Sequence, residues 1–219
     1  MAAGKTFLQL TNEVLARLRE NSVDTVNSTT YSTLIGKFIN EAKKEVEDAW
    51  NWNRLRTTVT VTTADDTFSY VLTDAQKRFR IIDVFNDTQD VEMRQIGMNA
   101  MNRLFYNSTQ QKSAPIYYNF NGSDTNGNPQ VDLYPIPDKV YTIRFNMCVP
   151  QADLSADTDT LTLQEMPVIL GAYARAVLER GEDGGINSSE VAQLYRYTLN
   201  DAISQDAGLA EDELIFHSV

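Results

Sequence analysis

The chain has 219 residues, 42% of them hydrophobic and 22% charged, with a formal net charge of −11, enough for one large or two small domains with a buried core. That acidity argues against the chain gripping DNA or an anionic membrane by itself, because affinity for phosphate needs clustered lysine and arginine; it suits a wall that DNA slides past without sticking. The single cysteine, Cys148, excludes a disulfide framework, and no stretch approaches the roughly 18 apolar residues of a membrane span.

Met1–Gly4 leads into an amphipathic segment rather than an apolar run, so a soluble protein without a secretory signal is expected. Phe7, Leu10, Val14 and Leu18 fall at helical spacing opposite Arg17, Arg19 and Glu20, which predicts a first helix ending near Asn21-Ser22. The second opens on Asn27-Ser28-Thr29-Thr30, any of which can cap it, and carries Tyr31, Leu34, Ile35, Phe38, Ile39, Ala42, Val46 and Ala49 on one stripe. Lys37, Glu41, Lys43, Lys44, Glu45, Glu47 and Asp48 are assigned to its solvated outer face, where mixed signs are expected.

After Trp50-Asn51-Trp52 the period changes from helical to two. The run from Arg56, Arg-Thr-Thr-Val-Thr-Val-Thr-Thr, predicts a strand, turned at Ala64-Asp65-Asp66 and answered by Phe68–Leu72. A second pair, Phe79–Phe85 with Asp90–Ile96, is expected around Asn86-Asp87, and a short helix at Met98–Tyr106. Tyr117–Phe120, a Gly- and Asn-rich turn over Asn121–Pro129, Val131–Tyr134 and Tyr141–Val149 complete six to eight strands, an antiparallel sheet or sandwich. Cys148 in the last strand reads as a small buried residue.

Gln151–Thr160 is polar and acidic and reads as a linker. Thr162 with Glu165 fits a capping box, but that phase places Pro167 inside the helix, so a start at Met166-Pro167 is preferred. This third long helix stops at Gly181–Gly185, and a fourth follows, capped by Asn187 or Ser188, with Val191, Leu194, Tyr195, Thr198, Ala202 and Ile203 as its apolar face. The expected fold is therefore α+β: a four-helix bundle from 1–55 and 162–207, an inserted β domain at 56–161, and a C-terminal arm at 208–219.

Residues suited to chemistry are few. His217 is the only histidine and lies in the last few residues, which leaves neither Cys148 nor any serine a general base. Close carboxylate pairs (Asp65-Asp66, Asp157 with Asp159, Glu182-Asp183, Glu211-Asp212-Glu213) are read as loop solvation in preference to an acid and base. Asp153, Asp157 and Asp159 could clamp calcium but lack the glycine and distal glutamate of an EF-hand loop. No phosphate-binding glycine motif occurs. No catalytic residue, metal site or cofactor is predicted.

Three groups stand out as structural or contact residues. Trp50 and Trp52, at the helix-to-strand junction, read as core that staples two layers. Arg54, Arg56, Lys77, Arg78 and Arg80 form the one basic cluster; Arg54, Arg56, Arg78 and Arg80 suggest a surface for an acidic partner or a neighbouring copy, with a solvated edge as the plainer reading. Leu209, Leu214, Ile215 and Phe216 follow a closed bundle with no core left to join, as an arm that docks on another chain would.

The helix pair ending in Trp50-Asn51-Trp52, the Thr-rich insert, Leu133-Tyr134-Pro135-Ile136-Pro137-Asp138 leading to Tyr141–Phe145, and the returning helix Pro167–Arg180 resemble head–tail adaptor (connector or tail tubular) proteins of tailed bacteriophages, the short-tailed ones above all. The resemblance spans nearly the whole chain as an order of elements. It implies a non-enzymatic virion protein, assembled in the host cytoplasm, that forms a homo-oligomeric ring, usually twelvefold, at the head–tail junction. Such a ring binds the portal protein, presents a docking surface to the tail nozzle or tail-tube protein, and passes DNA through its lumen without sequence-specific contacts or a membrane. Gly208–Val219 would engage portal or neighbour, and the insert would face the tail. The competing readings are a carbohydrate- or receptor-binding virion module using Tyr117, Tyr118 and Tyr134, and, behind it, a carboxylate-dependent cell-wall hydrolase.

Overall fold

The computed structural model describes residues 4–73, 75, 77–106, 110–181 and 186–209, with 186–188 as main chain only. The fold is α+β, with five α-helices and two four-stranded sheets among the described residues. The chain divides into two compact units, Met1–Leu55 with Gln151–Val219, and Arg56–Pro150.

In the first unit, α1 (Phe7–Arg17) begins at a capping box: Thr6 Oγ1 accepts from Gln9 N at 3.2 Å and Gln9 Oε1 from Thr6 N at 3.0 Å. It stops at Leu18, short of Asn21-Ser22, where Arg19 takes a left-handed φ of 58°. α2 (Thr30–Ala49) repeats the device with Thr29 and Ser32, and the Ser32 hydroxyl also donates to Val26 O at 2.8 Å. Gly36 has no Cβ where one would sit 2.8 Å from Val26 Cγ1 and 3.0 Å from Phe7 Cζ, so it lets α1 and its following loop close on α2.

Lys43 and Glu47, assigned by charge to the solvated face of α2, are instead buried. They continue the stripe of Ile39 by one-turn steps, and the segment returning from the second unit covers them. That segment, residues 151–161, belongs with the helices and not with the insert. Leu154 and Leu161 lie in the helical core, Asn40 and Leu154 exchange two hydrogen bonds of 2.9 Å, and Thr6 bridges Thr160. Its polar composition hid these apolar anchors.

After the short α3 (Met98–Phe105) of the second unit, α4 (Glu165–Arg180) starts at Glu165 with Gln164 as an N-cap whose side chain makes no capping bond; neither the Thr162 capping box nor a start at Met166 is seen. Pro167 falls in the first turn, where its missing N–H has no intrahelical role. Gly181 closes the helix at φ 61°. α5 (Ile186–Ala207) already contains Asn187 and Ser188, so neither is its cap. It packs chiefly on α4, while α2 and α1 also pack on α4. Packing chiefly on one neighbour leaves α5 a narrow buried stripe of Tyr195, Ala202 and Asp206, and Leu194 is exposed despite its helical phase.

The second unit is built from β1 (Arg56–Thr62), β2 (Ser69–Val71), β3 (Arg80–Asn86), β4 (Val91–Glu92), β5 (Arg94–Gln95), β6 (Tyr117–Ser123), β7 (Pro129–Tyr134) and β8 (Thr142–Cys148). One sheet runs β1-β8-β3-β4 and the other β2-β7-β6-β5. All pairings are antiparallel except β5 with β6. The expected hairpin of β1 with β2 does not form: β1 pairs with β8 and β2 with β7, because the chain changes sheets at the Ala64–Thr67 turn. It changes again at Met93, whose N–H donates to Val84 O between β4 and β5, and after the cis Tyr134-Pro135 bond. Val59, Val61, Val84, Ile143, Phe145 and Met147 from one sheet meet Tyr118, Val131 and Leu133 from the other in a single core, the arrangement of a sandwich.

Candidate interaction surfaces

Among the described residues no group of three or more His, Cys, Asp or Glu side chains is arranged to hold a metal ion. The loop carboxylates instead act on the fold. Asp153 pairs with Lys44 at 2.7 Å, and Asp157 Oδ1 accepts from Val26 N at 3.0 Å. Asp159 Oδ2 accepts from the N–H groups of Ser155 and Ala156 at 2.7 and 2.8 Å, donors that hold its carboxyl below the usual carboxylate range. Asp66 pairs with Lys112 at 2.6 Å. Glu182-Asp183 and Glu211-Asp212-Glu213 lie outside the described residues, as does His217.

The aromatic residues considered for ligand stacking are also in use elsewhere. Tyr118 and Tyr134 are buried and Tyr117 is half-buried. Tyr118 meets Phe120 and Phe145 edge-on, and Tyr134 meets Phe105 at 5.5 Å between centroids. Burial of both rings removes the exposed platform that sugar stacking requires. Tyr141 is likewise engaged: burial first, and then its 2.6 Å bond to Asp138, push its phenol up to about 12.

The two tryptophans have different places. Trp52 is buried in the helical core and its Nε1 donates to Val46 O at 2.7 Å. Trp50, the C-cap residue of α2, is 36% exposed, so the reading of it as core does not hold. Alternation put both on one face, but the chain here is a helix cap followed by a 3₁₀ turn over Asn53–Leu55 and has no strand period.

The arginines separate into two settings. Arg54 sits in that turn and reaches Thr162 O at 3.4 Å. Arg56 and Arg80 both pair in register with Cys148, one from each side, so they lie in one cross-strand row at the end of a sheet, and both are exposed. Arg78 is half-buried in the loop before β3, and the Lys77 side chain lies against Gly127. Cross-strand register thus brings together two of the four arginines. Beyond them on the same face, Asn146 accepts from Thr58 Oγ1 at 2.8 Å and donates to Asp83 at 2.5 Å, and Arg144 pairs with Asp87 at 3.1 Å.

The helical unit exposes Leu178 on α4, Leu194 and Tyr197 on α5, and Leu209 in the turn that follows, 74% exposed, and the second unit exposes others such as Tyr106 and Val140. Leu214, Ile215 and Phe216 lie outside the described residues. What the sequence reading missed is the pair Lys43 and Glu47. Lys43 Nζ donates to Glu47 Oε1 at 3.1 Å, Gln151 O at 2.7 Å and Ala152 O at 3.1 Å, and Glu47 Oε1 also accepts from Gln151 N at 3.1 Å. The ammonium's three donors therefore all have partners. The available signal was phase: Lys43 and Glu47 follow Ile39 at steps of four.

A surface organised for packing and contact, with its carboxylates tied into loops, is what a structural protein requires. The family model described as SU10 adaptor protein matches residues 5–212. The chain belongs to that family. It is a phage adaptor protein, hence virion-associated, from a structural protein family. The match runs through both units of the adaptor, from α1 to beyond α5. No curated protein matches the chain. Among the described residues of the adaptor, no helix is long and apolar enough to cross a membrane.

Proposed function

We propose that this adaptor forms a ring at the head–tail junction of a short-tailed phage, beneath the portal. In this reading α1, α2, α4 and α5 act as a four-helix bundle that supplies the ring body. Copies related by closed symmetry, twelvefold by resemblance, bury heterologous surfaces such as Leu178, Leu194 and Tyr197. The sandwich faces the tail and offers the nozzle or tail-tube protein its docking surface. Residues 208–219, with Leu209, Leu214, Ile215 and Phe216, form an arm that contacts portal or neighbour. Assembly takes place in the host cytoplasm.

The observation that carries this reading is the family match over residues 5–212. The net charge of −11 supports a conduit, since a lumen of like charge lets DNA pass without sticking. In this reading the surface carrying Arg54, Arg56, Arg78 and Arg80 meets an acidic face of a partner or of a neighbouring copy.

The test is whether a tagged copy made during infection co-sediments with DNA-filled heads in a fixed ratio to portal and is released together with it. That outcome is expected. A chain that remains in the soluble fraction while mature particles lack it would refute the ring.

A further inference from the structure

The two sheets of the β unit have four edges, and three of them are very short. β4 and β5 have two residues each and β2 has three. Short edge strands present few open N–H and C=O groups, a common defence against unwanted pairing. The fourth edge, β1, is seven residues long and is undefended. It has no proline and no lysine, it matches β8 one-to-one from Arg56 opposite Cys148 to Thr62 opposite Thr142 without a bulge, and five of its seven side chains are exposed. Among the described residues its outer side makes no backbone hydrogen bond.

The start of this edge is marked by charge. Arg56 and Arg80 flank Cys148 in one row, and two strand spacings put them about 10 Å apart. The sequence holds a complement: Glu211-Asp212-Glu213, then Leu214-Ile215-Phe216-His217-Ser218-Val219, in the ten residues that follow Leu209. The last six include the β-prone Ile215, Phe216 and Val219, lack proline and glycine, and equal Thr57–Thr62 in number.

We propose that β1 accepts residues 211–219 of a second copy of this chain as a fifth, parallel strand. Direction follows from charge, because only a parallel strand brings the acidic triplet beside Arg56 while Leu214–Val219 runs along Thr57–Thr62. The inference rests on the ring reading. Pairing of β1 with another β1 needs a two-fold axis between copies, which neighbours in a larger ring lack, so the strand must come from a different segment. The other sheet edges are too short to supply it. Main-chain bonds then give affinity, and Arg56 at the start of the edge sets register.

The test uses two full-length chains with different tags, both Cys148→Ala so that no native thiol competes. One carries Thr60→Cys and the other His217→Cys, the positions this register sets opposite each other, and the purified chains are mixed and oxidised. A disulfide between the two tagged chains is expected, its yield falling about threefold when the first also carries Arg56→Glu, the loss of an exposed charge pair. Amide exchange at Thr57–Thr62 should slow as protein concentration rises. The proposal is overturned if no mixed disulfide forms, or if one forms only within a single chain carrying both cysteines, the result for a strap on its own edge. It is overturned equally if β1 exchange is unchanged by concentration. Because this assay contains no portal, its failure alongside normal co-sedimentation with heads removes the strand contact and leaves the adaptor ring standing.

Discussion

Replacing Lys43 by alanine should be among the most damaging substitutions in the helical unit. Lys43 and Glu47 both have fully buried side chains, and the ammonium also binds the carbonyls of Gln151 and Ala152. Lys43→Ala strands the Glu47 carboxylate in the core, which costs about 3–5 kcal/mol for a broken buried pair. At about 2–4 °C per kcal/mol for a chain of this size, the melting midpoint should fall by roughly 6–20 °C. Lys43→Met combined with Glu47→Met removes both charges and should recover part of that loss. Recovery is incomplete because Gln151 and Ala152 still lose their partner, at about 1–3 kcal/mol for each group left unsatisfied. Chemical denaturation of the wild type, both single variants and the double gives the coupling directly. The reasoning is refuted if Lys43→Ala lies within about 0.5 kcal/mol of wild type, or if the double variant loses the sum of the two singles.

Two further outcomes are expected. Trp52, buried and bonded to Val46 O, should give blue-shifted emission that resists iodide, while the exposed Trp50 should be quenched; Trp50→Phe and Trp52→Phe should each remove one component, and equal quenching of both would contradict the assignment. Asp159 has a folded-state pKa lowered by the N–H groups of Ser155 and Ala156. Its contribution is therefore present above the ordinary carboxylate range and is lost as pH falls through the lowered value. Asp159→Asn should lower stability at neutral pH and flatten the acid limb below about pH 4, and parallel wild-type and variant curves would count against the bond.

Much of the helical unit was legible because helix periodicity and capping are local. Phe7, Leu10 and Val14, a cap among Asn27-Ser28-Thr29-Thr30, of which the structure uses Thr29, and the Ile35 to Val46 stripe all follow from spacing within one turn of the chain. The strands were legible in the same way, as elements. Their partners were not: Thr57–Thr62 alternates identically whether it pairs with the next strand or with β8, eighty residues on. Residues 151–161 were misassigned because two buried leucines, Leu154 and Leu161, among polar residues carry no period at all. Leu194 has the right helical phase and is exposed because α5 has one chief packing neighbour, a fact no single helix contains.

Of the surfaces, the sequence alone determined the acidity of the chain, its shortage of catalytic residues, and the apolar and acidic run at 211–219, since composition needs no neighbours to be read. Only the tertiary structure decided that Lys43 and Glu47 lie inside, that Trp50 lies at the surface, and that Arg56 and Arg80 share a row at the start of the long open edge. The reason is that burial and cross-strand register depend on which segment arrives alongside, and those segments come from far along the chain.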